Sequence, residues 1–187
     1  LTEVLRVQLA ERAKALTTSI EEAFEKLAAT GNANQAAAFD FQHAPSGRSG
    51  ELGAFLRRAT ILAWQEHHRL GAVEVIGRDS LAALASAHGI LPVDLISRLA
   101  EVSTRRPGVL HLGGTYGRLS QDRVEIVFVA ALNGRVTRSR LDLPAEKLPA
   151  LSWVIPAWLP RKVTERDLEG VVLGLRRDDR RVAAPLI

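Results

Sequence analysis

The sequence predicts an α+β fold: a long N-terminal helix, a helix-rich middle and a small β-rich C-terminal extension. Three observations predict it. Apolar residues in the first thirty positions recur at helical spacing. Residues 51–70 and 80–101 carry the three- and four-residue recurrence of buried helical stripes. Val124 to Val129 is strongly β-branched, and Asn133-Gly134 behind it is the strongest short hairpin signal in the chain.

In residues 1–34, Leu9, Ala13, Leu16, Ile20, Ala23 and Leu27 step by four, three, four, three, four, which is a heptad seam. Two readings stay open. The helix packs on its own domain, or Leu9, Leu16, Ile20 and Leu27 form a homodimer seam. Residues 35–50 read as a flexible Gly/Ser linker, with His43-Ala44-Pro45-Ser46-Gly47-Arg48-Ser49-Gly50 at its end. That loop lacks the Gly-Lys-Ser/Thr ending of a phosphate-binding loop, and the sequence offers no clear strand to feed it.

Residues 51–131 form the next unit. Leu52, Phe55, Leu56, Ala59 and Leu62 predict a helix over 51–70 that Gly71 ends. Ala72 to Ile76 is a short strand. Leu81, Leu84 and Ala85 share one helix face, with Asp79 or Ser80 as N-cap. Gly89 suits a left-handed C-cap. Pro92 suits the first turn of a second helix, Pro92 to Ser103, with Leu95, Ile96 and Leu99 buried. Val109 to Leu112 is a strand, Gly113-Gly114-Thr115-Tyr116-Gly117 a turn, and Val124 to Val129 a strand.

The order Leu84-Ala85, Gly89-Ile90, Leu95, Leu99 resembles the helix-turn-helix pattern of DNA-binding regulators. With its flanks, the stretch resembles the winged helix-turn-helix superfamily. That resemblance implies that helix 92–103 enters a major groove, with Ser97 and Arg98 as base readers. Arg105, Arg106, Arg118 and Arg123, with Tyr116 at the wing tip, would then contact phosphates or a minor groove. Arg57 and Arg58 would add backbone contacts. Asp94 and Glu101 lie on the same helix, and phosphate repels them, which favours a protein partner instead.

Residues 132–187 read as a β-hairpin-containing extension. The hairpin joins Val124–Leu132 to Arg135–Leu143. Prolines break regular structure between Leu148 and Pro160, where Trp153 and Trp158 cover a core edge or form a partner patch. Val171–Leu175 and Val182–Leu186 flank the charged run Arg176 to Arg181.

Catalytic chemistry finds little support. His67 and His68 are adjacent, so on a helix they point about 100° apart and do not chelate together. Ser46 and Ser49 lack a nucleophile-elbow context. Glu125 with Asp122 lacks the acid-x-Lys partner of a nuclease, because Glu146-Lys147 has the wrong spacing. No catalytic, metal or cofactor residue is expected, and no cofactor. The 187 residues contain no Cys, which excludes disulfides and thiolate-bound metals and suits a cytoplasmic protein. No apolar run approaches the roughly 20 residues of a membrane span, and no signal-peptide pattern opens the chain. The net charge of +4 is mildly basic, compatible with nucleic acid but not diagnostic.

The sequence therefore leads to a non-enzymatic winged-helix protein that binds double-stranded DNA, regulatory or architectural, as a dimer. The alternative is a winged helix used for protein–protein assembly. A nuclease or nuclease-associated domain is third.

Overall fold

The computed structural model describes residues 35–67 and 72–153, with the isolated positions 7 and 33. The first-helix seam of Leu9, Leu16, Ile20 and Leu27 lies outside the described residues, as do Trp158 and everything from 154 onward.

A mixed six-stranded sheet organises the described chain. Strands β1 (Gln35–Phe39), β2 (Gln42–His43), β3 (Ala72–Ile76), β4 (Val109–Arg118), β5 (Arg123–Leu132) and β6 (Arg135–Pro144) build it. The order is β3-β1-β4-β5-β6, and β2 pairs with β4 beyond the end of β1. Strands β1, β2, β3 and β4 run parallel, and β5 and β6 return as antiparallel hairpins. Ala38 faces Leu112 and Gln42 faces Thr115, so β1 and β2 are one bent strand with one extra residue at the bend.

Helix α1 (Glu51–His67) connects β1/β2 to β3. Helix α2 (Arg78–His88), a single 3-10 turn (Pro92–Asp94) and helix α3 (Leu99–Thr104) connect β3 to β4 on the other side of β1. These crossovers travel in opposite directions and lie on opposite faces, as right-handed connections require. Ala36, Ala38, Leu110, Leu112, Ile126 and Phe128 pack with Leu52, Phe55 and Leu56 of α1. Ala37, Phe39, Val129 and Ala131 pack with Leu81, Ala85, Ile96 and Leu99. The sheet is thus sandwiched between helices.

The winged-helix expectation is corrected by this architecture: strands dominate, and the sheet lies between its helices. Helix α2 forms and ends at Gly89, whose φ of 64° is left-handed as expected, but its N-cap is Gly77 rather than Asp79 or Ser80. The expected helix 92–103 is instead the 3-10 turn, four turn residues and a six-residue α3. No recognition helix is present among the described residues.

The expected wing turn is corrected as well. Gly113 and Gly114 lie inside β4, where a Cβ on Gly113 would press Ile96 Cδ1 at 2.8 Å and one on Gly114 would strike Phe41 and the Val127 carbonyl. These glycines serve close packing on both faces, and the chain turns later, at 119–122. Residues 35–43, read from the sequence as part of a linker, hold strands β1 and β2, which pair with β4 at the centre of the sheet. The Asn133-Gly134 hairpin forms with φ of 51° and 80°, the left-handed pair that a two-residue turn needs. Its second strand, β6, belongs to the same sheet as β1 and β4.

Candidate functional site

An open α/β sheet takes ligands beyond the carboxyl ends of its parallel strands, where neighbouring connections diverge. In this sheet that position lies between β1/β2 and β4. Strand β2 feeds the loop 44–50, and α1 follows it, so a strand–loop–helix unit does exist here. Tight backbone bonds fold the loop: Ser46 and Gly47 N–H donate to the His43 carbonyl at 3.0 and 2.8 Å, and Ala44 N–H to that of Tyr116 at 2.8 Å. Gly47, at φ 62°, lies against Val93, and Gln42 Nε2 donates to the Pro92 carbonyl at 2.6 Å.

The crevice itself is filled by the chain's own segment Leu151–Trp153. Leu52 N–H donates to the Ser152 carbonyl at 3.1 Å. Ser152 N–H donates to the Glu51 carboxylate at 3.1 Å. Tyr116, 1% exposed, donates its hydroxyl to the Trp153 carbonyl and accepts Gly50 N–H at 3.3 Å. A Cβ on Gly50 would collide with the carbonyls of Ser152 and Trp153. Two of the N–H groups at the start of α1, the kind with which a helix N-terminus holds an anion, are therefore already engaged: those of Gly50 and Leu52. Above them the Trp153 ring packs edge-on to Tyr116 and His43, with centroids 5.6 and 5.9 Å away. The Arg118 guanidinium sits 5.1 Å over the same ring, a cation–π contact.

Potential reactive groups are used structurally. His43 Nδ1 is 3.0 Å from Ser46 Oγ within one tight turn, and burial pushes its pKa down. Among the described residues, no group of three His, Cys, Asp or Glu is placed to hold a metal ion. His111 is fully buried on the α2/α3 side of β4. Its Nδ1 meets the Val109 carbonyl at 2.9 Å, while Nε2 has no hydrogen-bond partner among the described residues. Burial pushes its pKa down to about 4, partly offset by the bond to Val109.

The residues expected to touch DNA do not come together. Ser97 is exposed, and its hydroxyl donates to the Asp94 carbonyl at 2.8 Å. Arg98 is also exposed and forks onto Glu101 at 2.8 and 2.5 Å, which raises its pKa and lowers that of Glu101. Arg105 bonds His88, and Arg106 pairs with Glu74 at 2.8 Å. His88 is pushed down by burial first, then by these two arginines. Arg118 donates to the Gln121 carbonyl at 2.7 Å, and Arg123 pairs with Asp142 at 2.9 Å. Arg106 and Arg118 flank β4 at opposite ends, and ten strand residues span about 30 Å. Tyr116 is buried rather than at a wing tip. Arg57 and Arg58 are buried too, with Arg57 Nε 3.4 Å from Asp40 Oδ1.

Sequence reading missed Gly50, Glu51 and Ser152 as parts of one site. A signal existed for Tyr116, since the two-residue period from Leu110 and Leu112 carries it to the α1 face.

No family model matches the chain, and no curated protein matches it. Among solved structures, the C-terminal domain of LpoB from Salmonella enterica is similar at a TM-score of 0.40 and 10% identity, over 68% of this chain and 94% of that one. Likeness of that degree carries no argument about fold or function.

Proposed function

We propose that this chain is a non-enzymatic assembly module that binds a protein partner. One observation carries the reading: the crevice where an open α/β sheet takes a small ligand is filled by Leu151–Trp153, whose carbonyls accept the Leu52 N–H and the Tyr116 hydroxyl. The surface left to work with is the loops around it. Leu91, 66% exposed, and Val93, 47% exposed, flank Pro92 on a turn tied to Gln42 and backed by Gly47. Exposed aliphatic side chains on a held turn suit an apolar partner surface, because little ordering entropy remains to be lost. The DNA reading rested on a recognition helix, and the arginines that supported it are engaged in local hydrogen bonds, ion pairs or a ring contact.

A photo-crosslinking residue at position 91, used in the native host, is expected to capture a protein. The purified chain should rebind that protein, and Leu91→Asp with Val93→Asp should weaken the complex about tenfold or more. Absence of such a complex contradicts the reading. So does binding of a labelled random duplex that falls steeply as salt rises, the mark of phosphate contacts.

A further inference from the structure

Strand β6 ends the sheet, and among the described residues it pairs with β5 alone. Over residues 138–144 its outer side presents backbone groups of alternate residues that pair with no strand among the described residues. Arg138, Arg140 and Asp142 project from the exposed face, while Leu141 and Leu143 lie on the α1 side, half-buried and buried. Two ion pairs tie the exposed face to β5: Arg123 Nε to Asp142 Oδ1 and Arg140 Nε to Glu125 Oε1, both at 2.9 Å.

We propose that β6 pairs antiparallel with β6 of a second copy of this chain, with the two-fold axis at Leu141. Charge selects the register. An axis at Ser139 sets Arg138 against Arg140, one at Arg140 sets that residue against itself, and one at Asp142 does the same to the acid. With the axis at Leu141, Arg140 faces the partner's Asp142, Asp142 faces the partner's Arg140, and no like charges face each other. Leu141 meets the partner's Leu141 on the α1 side. Arg138 faces the partner's Pro144 and lies diagonal to the partner's Asp142.

The present ion pairs then continue across the seam. Glu125, Arg140, the partner's Asp142 and the partner's Arg123 form one row of alternating sign, and the two-fold repeats it. The contact is isologous, so it closes at two copies and removes the exposed edge of each. Residues 138–144 pair along about 24 Å. A seam of one strand pair is at the low end of interface sizes, so the dimer depends on concentration. This contact is separate from the Leu91–Val93 turn, and either surface can fail without the other.

The test is sedimentation velocity of the full chain over a range of concentrations, with Arg140→Asp, Asp142→Arg and their equimolar mixture. Wild type is expected to dimerise with rising concentration. Each variant alone sets like charges across the seam and should raise the dissociation constant about tenfold or more. The mixture restores opposite charges at both contacts and should recover dimers. Leu141→Lys, which leaves both ion pairs with β5 intact, should also yield monomers. A monomeric wild type, variants that dimerise like wild type, or a mixture that stays monomeric would each overturn the proposal. A dimer held by residues 1–34 would survive every one of these variants.

Discussion

Strand β4 buries one polar aromatic ring on each face, and the two rings are treated differently. Tyr116, toward α1, spends its hydroxyl twice, on Gly50 N–H and on the Trp153 carbonyl. His111, toward α2 and α3, satisfies Nδ1 and leaves Nε2 without a partner among the described residues. The first ring fastens a segment from the far end of the described chain into the crevice. The second stacks on Phe39 and bonds back to Val109 of its own strand, and burial favours its neutral form. A buried polar group stabilises when its bonds are complete and costs when one is missing.

Removing the satisfied hydroxyl should have the larger effect. Tyr116→Phe leaves Gly50 N–H and the Trp153 carbonyl without that partner in a buried site. The expected loss is about 3 kcal/mol, since each orphaned group costs about 1–3. Urea unfolding of the two proteins measures it.

Acid sharpens the contrast from the other face. The folded pKa of His111, about 4, lies below its ordinary 6.5. The folded state therefore favours the neutral ring, and the unfolded chain takes the proton first. Stability from this group is complete above pH 6.5 and is lost as pH falls toward 4. At pH 5 the loss is about 2 kcal/mol. Unfolding curves at pH 7 and pH 5 should show that loss in wild type, and His111→Phe should lack this part of it. An equal acid loss in both proteins would remove His111 from the account.

Strand β5 and the hairpin behind it were legible in the sequence. Val124 to Val129 prefers a pleated surface, and Asn-Gly accepts two left-handed residues with little strain. Helix α2 and its stop at Gly89 were legible for similar reasons. Strand β1 was not. Gln35-Ala-Ala-Ala-Phe39 carries no β-branched residue and no alternation, because both its faces are buried and Ala36, Ala37 and Ala38 let helices close on either side. Local propensity at those alanines points away from a strand, and tertiary packing decides. Gly113-Gly114 misled for a related reason. Glycine marks a turn or a close approach, and only the neighbours at Ile96 and Phe41 tell which. Pro92 opens one 3-10 turn, not a long helix, although its position at a helical start was read correctly.

The closure of the crevice was illegible because its parts stand far apart in sequence. Gly50 and Ser152 meet only once the sheet has formed. Trp153 was expected to cover a core edge or a partner patch. The structure places it over Tyr116 and beneath Arg118.

The closure itself is best tested by native-state amide hydrogen exchange at Gly50 and Leu52. Their N–H groups donate to Tyr116 Oη and to the Ser152 carbonyl. If Leu151–Trp153 fills the crevice as a lasting part of the fold, both amides should exchange as slowly as those of β4, near the limit set by global unfolding. Exchange at the rate of a free amide, with β4 still protected, would mean that the crevice stands open, and would contradict the account.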